Sequence, residues 1–272
     1  MKAKNNGLVP FLKWAGGKQW LIPHLKPFLT SNSGRYIEPF LGGGSVFLAI
    51  RPKKAWLSDS NQELIETYLG IIEDVDAVIR KLKRFSFTQD CYYAVRNSIP
   101  RSLINKAARF IYLNRTCWNG LYRVNQKGKF NVPMGSFNSK PDFIVAERLW
   151  GVQRALKEAR IACKDFEDAC AIASKGDTVY LDPPYTVAHK SNGFLRYNER
   201  VFSWEDQLRL AATAENLQDK GCSVILSNAD HPSIIELYSK FRIQRVKRKS
   251  LVASSKSDRR PITELLITSP HS

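Results

Sequence analysis

The stretch TVYLDPPY, Thr178 to Tyr185, constrains the fold more than any other part of the chain. Thr178, Val179, Tyr180 and Leu181 are β-branched, aromatic or apolar in unbroken succession, as in a short strand buried on both faces. Pro183 and Pro184 then end it, because neither can donate to a sheet ladder. The strand must stop at Asp182. In an open α/β sheet, ligands bind outside the carboxyl ends of the strands, so Asp182 and Tyr185 are expected at the rim of a site. The same residues can also make a plain turn, and the rest of the chain has to separate the two.

Strand and helix periods alternate on both sides of this motif. RYIEPF (Arg35 to Phe40) reads as a strand leading into the glycine turn LGGGS, which opens a helix, and AWLSD (Ala55 to Asp59) reads as a second strand ending in an acid. From Asn61 to about Phe110 the period is helical, clearest in NQELIETYLGII and EDVDAVIRKLKRF. Trp118 to Phe137 alternates around Asn-Gln-Lys-Gly-Lys, a β-hairpin signal. After Pro141 the alternation resumes: a helix over Val145 to Ala159, a strand over Ile161 to Phe166, and a helix over Ser203 to Lys220 with Ser203 as N-cap and Asp206 three residues on. CSVILSN is an interior strand, His231 to Lys240 a helix, and RIQRVKRKSLV and TELLITS a closing antiparallel pair. The expected organisation is an α/β domain, residues 1–60 and 142–272, interrupted by a basic helical insert with a hairpin, residues 61–141.

Charge marks that insert. Between Cys91 and Pro141 there is no Asp or Glu, while nine lysines and arginines stand there. A second basic run, Arg242 to Arg260, supplies most of the rest of the net charge of +17. Self-repulsion of that size is unfavourable in a compact chain, and a polyanionic partner relieves it. Nucleic acid is the first candidate, because the acid-free segment also carries Tyr92, Tyr93, Tyr112, Trp118, Tyr122, Phe130 and Phe137. The charges are interleaved with turns instead of lying on one long helix, which disfavours a membrane surface. Five cysteines form no C-x-x-C pair and are odd in number, so neither zinc nor a disulfide framework is indicated, and a reducing cytoplasm is expected. No stretch resembles a signal peptide or a membrane span.

Three smaller features bear chemistry. The turn EPFLGGGS (Glu38 to Ser45) would meet a nucleotide-type ligand with bare backbone N–H groups. Asp59, fifteen residues past Gly44, stands where such sheets place a carboxylate on a ribose, though a strand-end cap has the same look. Gly42 and Gly44 are followed by Phe47, so the third glycine of a dinucleotide fingerprint is missing. FLKWAGGKQW (Phe11 to Trp20) is not a phosphate loop, since Leu12 and Gln19 occupy positions that loop reserves for Gly and for Ser or Thr. Trp14 and Lys18 are spaced to reach one ligand together.

In this order, FLKWAGGK, EPFLGGGSVF, YLNRTCWNGLYRVNQKGKFNVPMG and DPPY resemble the Dam family of DNA adenine N6-methyltransferases, from about Phe11 to Thr268. The resemblance implies a Rossmann-like methyltransferase fold with an inserted target-recognition domain. It implies S-adenosylmethionine as methyl donor, S-adenosylhomocysteine as product, no metal, and double-stranded DNA as partner of a monomeric enzyme. By motif match the cofactor contacts are Trp14, Lys18, Asp59 and Asp182, with Pro39, Phe40, Gly42 and Gly44 in the glycine turn and Phe166 against the adenine ring. The catalytic set is Asp182, Pro183 and Tyr185. Arg123 is implied as a guanine reader, Leu121 and Pro133 as contacts to thymine methyls, Trp118 and Asn119 as residues bracing the gap an extruded base leaves, and Lys13 as a contact near the first base pair. Ser136 and Asn138 depart from the pattern, where better-known members carry basic residues. GATC is the implied site. Restriction–modification, replication and mismatch-repair marking, and phage DNA modification all remain open settings.

The resemblance gives the double proline a purpose. Adenine's amino nitrogen is a poor nucleophile because its lone pair is delocalised into the ring. An Asp182 carboxylate and a Pro183 carbonyl that each accept one amino hydrogen would free it, with Tyr185 stacked on the base. The adenine must then leave the duplex, and Thr186 to Arg200 is expected as a lid. An N4-cytosine or RNA methyltransferase would share the cofactor pocket but not the hairpin motif, and a DNA-binding regulator without turnover has no need of Asp182 to Tyr185 together. A dehydrogenase would gain nothing from +17.

Overall fold

The computed structural model describes residues 8–29, 34–188, 202–248 and 262–270. Its strands are β1 (Tyr36–Glu38), β2 (Ala55–Asp59), β3 (Ala159–Cys163), β4 (Thr178–Leu181), β5 (Ser223–Ala229), β6 (Arg242–Arg248) and β7 (Ile262–Thr268). They form a seven-stranded sheet in the order β3-β2-β1-β4-β5-β7-β6. β1, β4 and β5 run parallel, whereas β7 is antiparallel to both β5 and β6. This mixed α/β architecture is consistent with an S-adenosylmethionine-dependent methyltransferase fold. The chain divides into two compact units, one of Met1–Gln19, Leu41–Lys53 and Leu57–Cys163, the other of Trp20–Phe40, Lys54–Trp56 and Lys164–Ser272.

In the second unit β4 is buried along its whole length and ends at Leu181, where the prolines require it to. Its neighbour β5 is in register Leu181↔Leu226, and β7 follows with Ala229↔Glu264. α8 (Trp204–Asp219) opens with a full capping box in which Ser203 and Asp206 satisfy each other's backbone N–H. Its Leu210, Ala211, Ala214 and Leu217 are buried in one apolar cluster with Val179, Leu181, Val224 and Leu226. Each such leucine contributes about 2 kcal/mol. Arg35 closes the base of β4, with Nη2 at 2.6 Å from Asp177 Oδ2.

The first unit is mainly helical. α3 (Gln62–Lys83) is capped by Asn61, whose side chain accepts from Leu64 N, and it breaks at Asp74 (φ −157°), which caps the second half through Ala77 N. The two halves match the two helical stretches of the sequence. α4 (Gln89–Asn97) and α5 (Leu103–Thr116) are capped by Thr88 and Ser102, and α5 packs along α3. α2 (Ser45–Ile50) follows the glycine turn and α6 (Ala146–Leu156) precedes β3.

The structure departs from sequence expectation at four places. The Trp118–Phe137 hairpin has no strand ladder. It begins as a 3-10 turn (Trp118–Gly120) and is closed by two isolated bridges, Cys117↔Met134 and Val124↔Phe130. At its tip the Asn125 side chain accepts from Lys127 N and Lys129 N, while Asn125 N donates to Lys129 O at 2.9 Å and Asn131 N to Arg123 O at 3.0 Å. Phe166 is not the end of a strand: β3 stops at Cys163, Asp165 acts as an N-cap, and Phe166 opens the short helix α7 (Phe166–Cys170). The helix expected over His231 to Lys240 is only α9 (Pro232–Leu237). A helix not expected, α1 (Ile22–Leu29), carries Pro27 within it.

Candidate active site

Asp182 is the first residue beyond β4, and its orientation is set from the next strand. Ser227 Oγ donates to Asp182 Oδ1 at 2.8 Å. With its single proton committed there, Ser227 accepts from Tyr180 O–H at 3.0 Å. Tyr185 O–H donates to Glu264 Oε2 at 2.8 Å. Burial first, then the nearby Asp182 charge, raises both tyrosine hydroxyls well above their ordinary value of 10.0, so both remain protonated donors. Glu264 is itself buried, as is Glu38, which accepts from Tyr36 O–H at 2.8 Å. Pro183 is buried beside Asp182, and Thr186 Oγ1 anchors the outgoing chain to Phe202 O at 2.7 Å. From residue 189 onward, the expected lid lies outside the described residues.

Phe166 and Phe40 belong to the same unit. Their rings stack at 5.5 Å with an interplanar angle of 24°, Phe202 meets both, and the Arg209 guanidinium lies 4.8 Å from the Phe166 ring centroid. Phe166 is therefore buried and Phe40 half-buried, and Pro39 is buried just before it.

The first unit gathers Trp14, Lys18, Gly42, Gly44 and Asp59. Gly42 (φ 48°) and Gly44 (φ 68°) both adopt left-handed backbone, the second as the cap of α2. A Cβ at Gly42 would lie 2.8 Å from the Trp14 indole, so only glycine lets the turn approach that ring. Asp59 Oδ2 accepts from Gly42 N and Oδ1 from Asn61 N, both at 2.9 Å. Burial raises the Asp59 carboxyl pKa, and these two backbone bonds oppose the rise. The strand-end acid thus clamps the glycine turn and caps the following chain. Lys18 is buried, its ammonium 2.8 Å from Gly16 O. These features fit a group that needs a bare-backbone cradle, an aromatic wall and a fixed carboxylate.

The residues implied for DNA reading lie on the same unit and are exposed: Lys13, Trp118, Asn119, Leu121, Arg123 and Pro133. Asn119 adopts left-handed backbone (φ 53°) within the 3-10 turn. Trp118 N donates to Pro133 O at 3.0 Å, and Arg123 Nε donates to Asn131 Oδ1 at 2.9 Å, which fixes the guanidinium plane. Asn114, on α5, joins this segment to the first motif: its Oδ1 accepts from Lys13 N, and its Nδ2 donates to Lys13 O and Gly120 O. Tyr122 stacks on Trp14 at 5.7 Å and donates to Glu63 Oε2.

Four residues of these networks were not singled out from sequence: Ser227, Glu264, Asn114 and Glu63. A buried acid inside the apolar run TELLITS was the one available signal, since such a side chain is costly without a partner. Among the described residues no three His, Cys, Asp or Glu side chains gather as metal ligands, and no helix is long and apolar enough to cross a membrane.

Comparison with known proteins identifies the family. Residues 14–251 match the model of the D12 class N6 adenine-specific DNA methyltransferases. The chain belongs to that family. It is therefore an adenine-specific DNA methyltransferase, a class that implies S-adenosylmethionine as donor and DNA as substrate. Among its relatives, the type II methyltransferase M1.LlaDCHI of Lactococcus lactis subsp. cremoris is 36% identical over 96% of this chain and 95% of its own. The type II methyltransferase M.MjaIII of Methanocaldococcus jannaschii is also 36% identical, over 95% and 98%. The DNA adenine methylase of Escherichia coli K12 is 34% identical over 94% and 93%. The D12 match takes in the first motif from Trp14 onward, the glycine turn, the hairpin segment and Asp182 to Tyr185 in one chain.

Proposed function

We propose that this D12 methyltransferase modifies adenine N6 within GATC in duplex DNA after extruding the base. The observation that carries the proposal is Asp182, held at a strand end next to two residues that have no N–H. Pro183 and Pro184 remove the nearest backbone donors, so the carboxylate and the Pro183 carbonyl act as acceptors for the amino hydrogens. Hydrogen bonds to both hydrogens draw the nitrogen toward tetrahedral geometry and make its lone pair available for in-line attack. The Tyr185 ring stacks on the base, while its hydroxyl is held elsewhere.

S-adenosylmethionine supplies the methyl group when bound. The residues assigned to hold it are Trp14, Lys18, Gly42, Gly44 and Asp59, with Pro39, Phe40, Phe166 and Asp182. Residues 61–141 act as the target-recognition domain. In it Arg123 reads guanine with the bidentate fork that suits the major-groove edge of that base. Leu121 and Pro133 meet thymine methyls, Trp118 and Asn119 brace the gap left by the extruded adenine, and Lys13 contacts the outer base pair. The basic segments grip phosphates and offset the few kcal/mol that unstacking costs. We expect a cytoplasmic enzyme acting as a monomer.

The test is incubation with methyl-labelled S-adenosylmethionine and duplexes that differ only in whether they contain GATC, followed by digestion and separation of the nucleosides. Label in N6-methyladenine from the GATC duplex alone is expected. Equal labelling of scrambled duplexes would remove the specificity claim.

A further inference from the structure

The two half-buried strand-end acids are held in different ways, and the difference draws in residues outside every motif. Asp59 is oriented by main chain, through Gly42 N and the N–H two residues ahead of it, Asn61 N. Asp182 cannot be held in that second way, because the residues one and two ahead of it are Pro183 and Pro184. The Ser227 hydroxyl on the parallel neighbour β5 donates to it, where the register Leu181↔Leu226 brings residue 227 alongside. Ser227 is fully buried and locked in turn by Tyr180. On the next strand but one from β4, Glu264 is a buried acid that accepts the Tyr185 hydroxyl. An acid in that position of a sheet is unfavourable unless it does something for the fold or the chemistry.

We propose that Ser227 and Glu264 are positioning residues for methyl transfer: Ser227 fixes the plane of the Asp182 carboxyl group, and Glu264 fixes the Tyr185 ring that stacks on the adenine. The inference rests on the functional reading above and adds two residues to it. The prolines that create the acceptor pair carry no N–H of their own, and side chains from two further strands reach the motif, Ser227 of β5 at the carboxylate and Glu264 of β7 at the tyrosine hydroxyl. Misplacement of a reacting group by a fraction of an ångström lowers rate without removing binding, so the expected signature lies in the chemical step.

Single-turnover methylation of a GATC duplex is measured alongside calorimetric affinities for S-adenosylhomocysteine and for the duplex. S227A is expected to slow the transfer about tenfold while both affinities stay within about threefold of wild type. E264L and Y185F are each expected to slow it about five- to tenfold, the double variant no more than either alone, and E264Q, which keeps an acceptor for the tyrosine, to recover most of the loss. If S227A or E264L fails to fold, Y180F and Y185F decide the matter, since each keeps its ring and removes only a hydroxyl. Rates within about twofold of wild type in the tyrosine variants and in whichever of the others fold would overturn the proposal, as would losses that merely track the two affinities. A wild-type enzyme that leaves adenine unmodified removes the functional reading and this inference together; one that methylates adenine while these variants keep pace removes the inference alone.

Discussion

The segments 178–185 and 117–137 are built on opposite plans. In the first, strand β4 is buried, and Tyr180 and Asp182 find a partner side chain on β5 and Tyr185 one on β7. In the second, Trp118, Leu121, Arg123 and Pro133 are exposed, and the backbone is closed by isolated bridges and by the Asn125 and Asn114 side chains. The contrast follows from what each segment has to meet. A transferring methyl group requires acceptors fixed before the substrate arrives, because catalysis comes from preorganised dipoles. A duplex brings its own rigidity and repeating charge, so the surface that reads it can adjust around a few anchored side chains.

The largest effect that separates the two regions is expected from D182A. It should lower methyl transfer by about a thousandfold or more while duplex affinity, measured by fluorescence anisotropy, stays within about threefold. An active D182A variant would end the account of amine activation. R123A should do the reverse, leaving transfer measurable but lowering discrimination between GATC and a site altered at the guanine by about ten- to a hundredfold. Uniform weakening on every sequence would instead make Arg123 a phosphate contact. N114A removes a buried side chain that bonds Lys13 N, Lys13 O and Gly120 O. Urea titration should show about 1–3 kcal/mol of lost stability, because three backbone groups lose a partner at once.

The smallest effect concerns the foot of β4. Burial alone would raise the Asp177 carboxyl pKa, but hydrogen bonds from Arg35 and Ser174 more than reverse this and hold it below the ordinary 3.8. A lowered folded pKa means that the pair's stabilisation is fully present above the ordinary value and is lost as pH falls through the folded one. Wild type should therefore lose stability on acidification more steeply than D177N, in melting curves taken across that range. Parallel curves would show that the pair contributes nothing specific to acid unfolding.

Much of the frame was legible because local rules set it. The stop at Leu181 follows from two prolines, the start of α8 from the Ser203 and Asp206 box, and the break in α3 from the change of phase at Asp74. α1 escaped notice because Pro23 and Pro27 lie in its short span, although Pro is tolerated in a first turn and at a yielding end. The reversal at 117–137 is legible, but alternation alone does not say how far a ladder extends, and the segment is closed by isolated bridges. The partners of Asp182 and Tyr185 were invisible for a different reason. Ser227 and Glu264 lie 45 and 79 residues further along the chain, and only the order of the strands brings them alongside. Glycines and acids at strand ends announce a site through chemistry that works along the chain, whereas the groups that orient them are set by topology.

The most direct test is a crystal structure of the enzyme with S-adenosylhomocysteine and a GATC duplex. The account predicts an extruded adenine whose N6 lies within hydrogen-bonding distance of both an Asp182 carboxylate oxygen and the Pro183 carbonyl, with the Tyr185 ring stacked on the base. An adenine bound with N6 away from those two oxygens, or still paired within the helix in a complex that is competent for transfer, would contradict it.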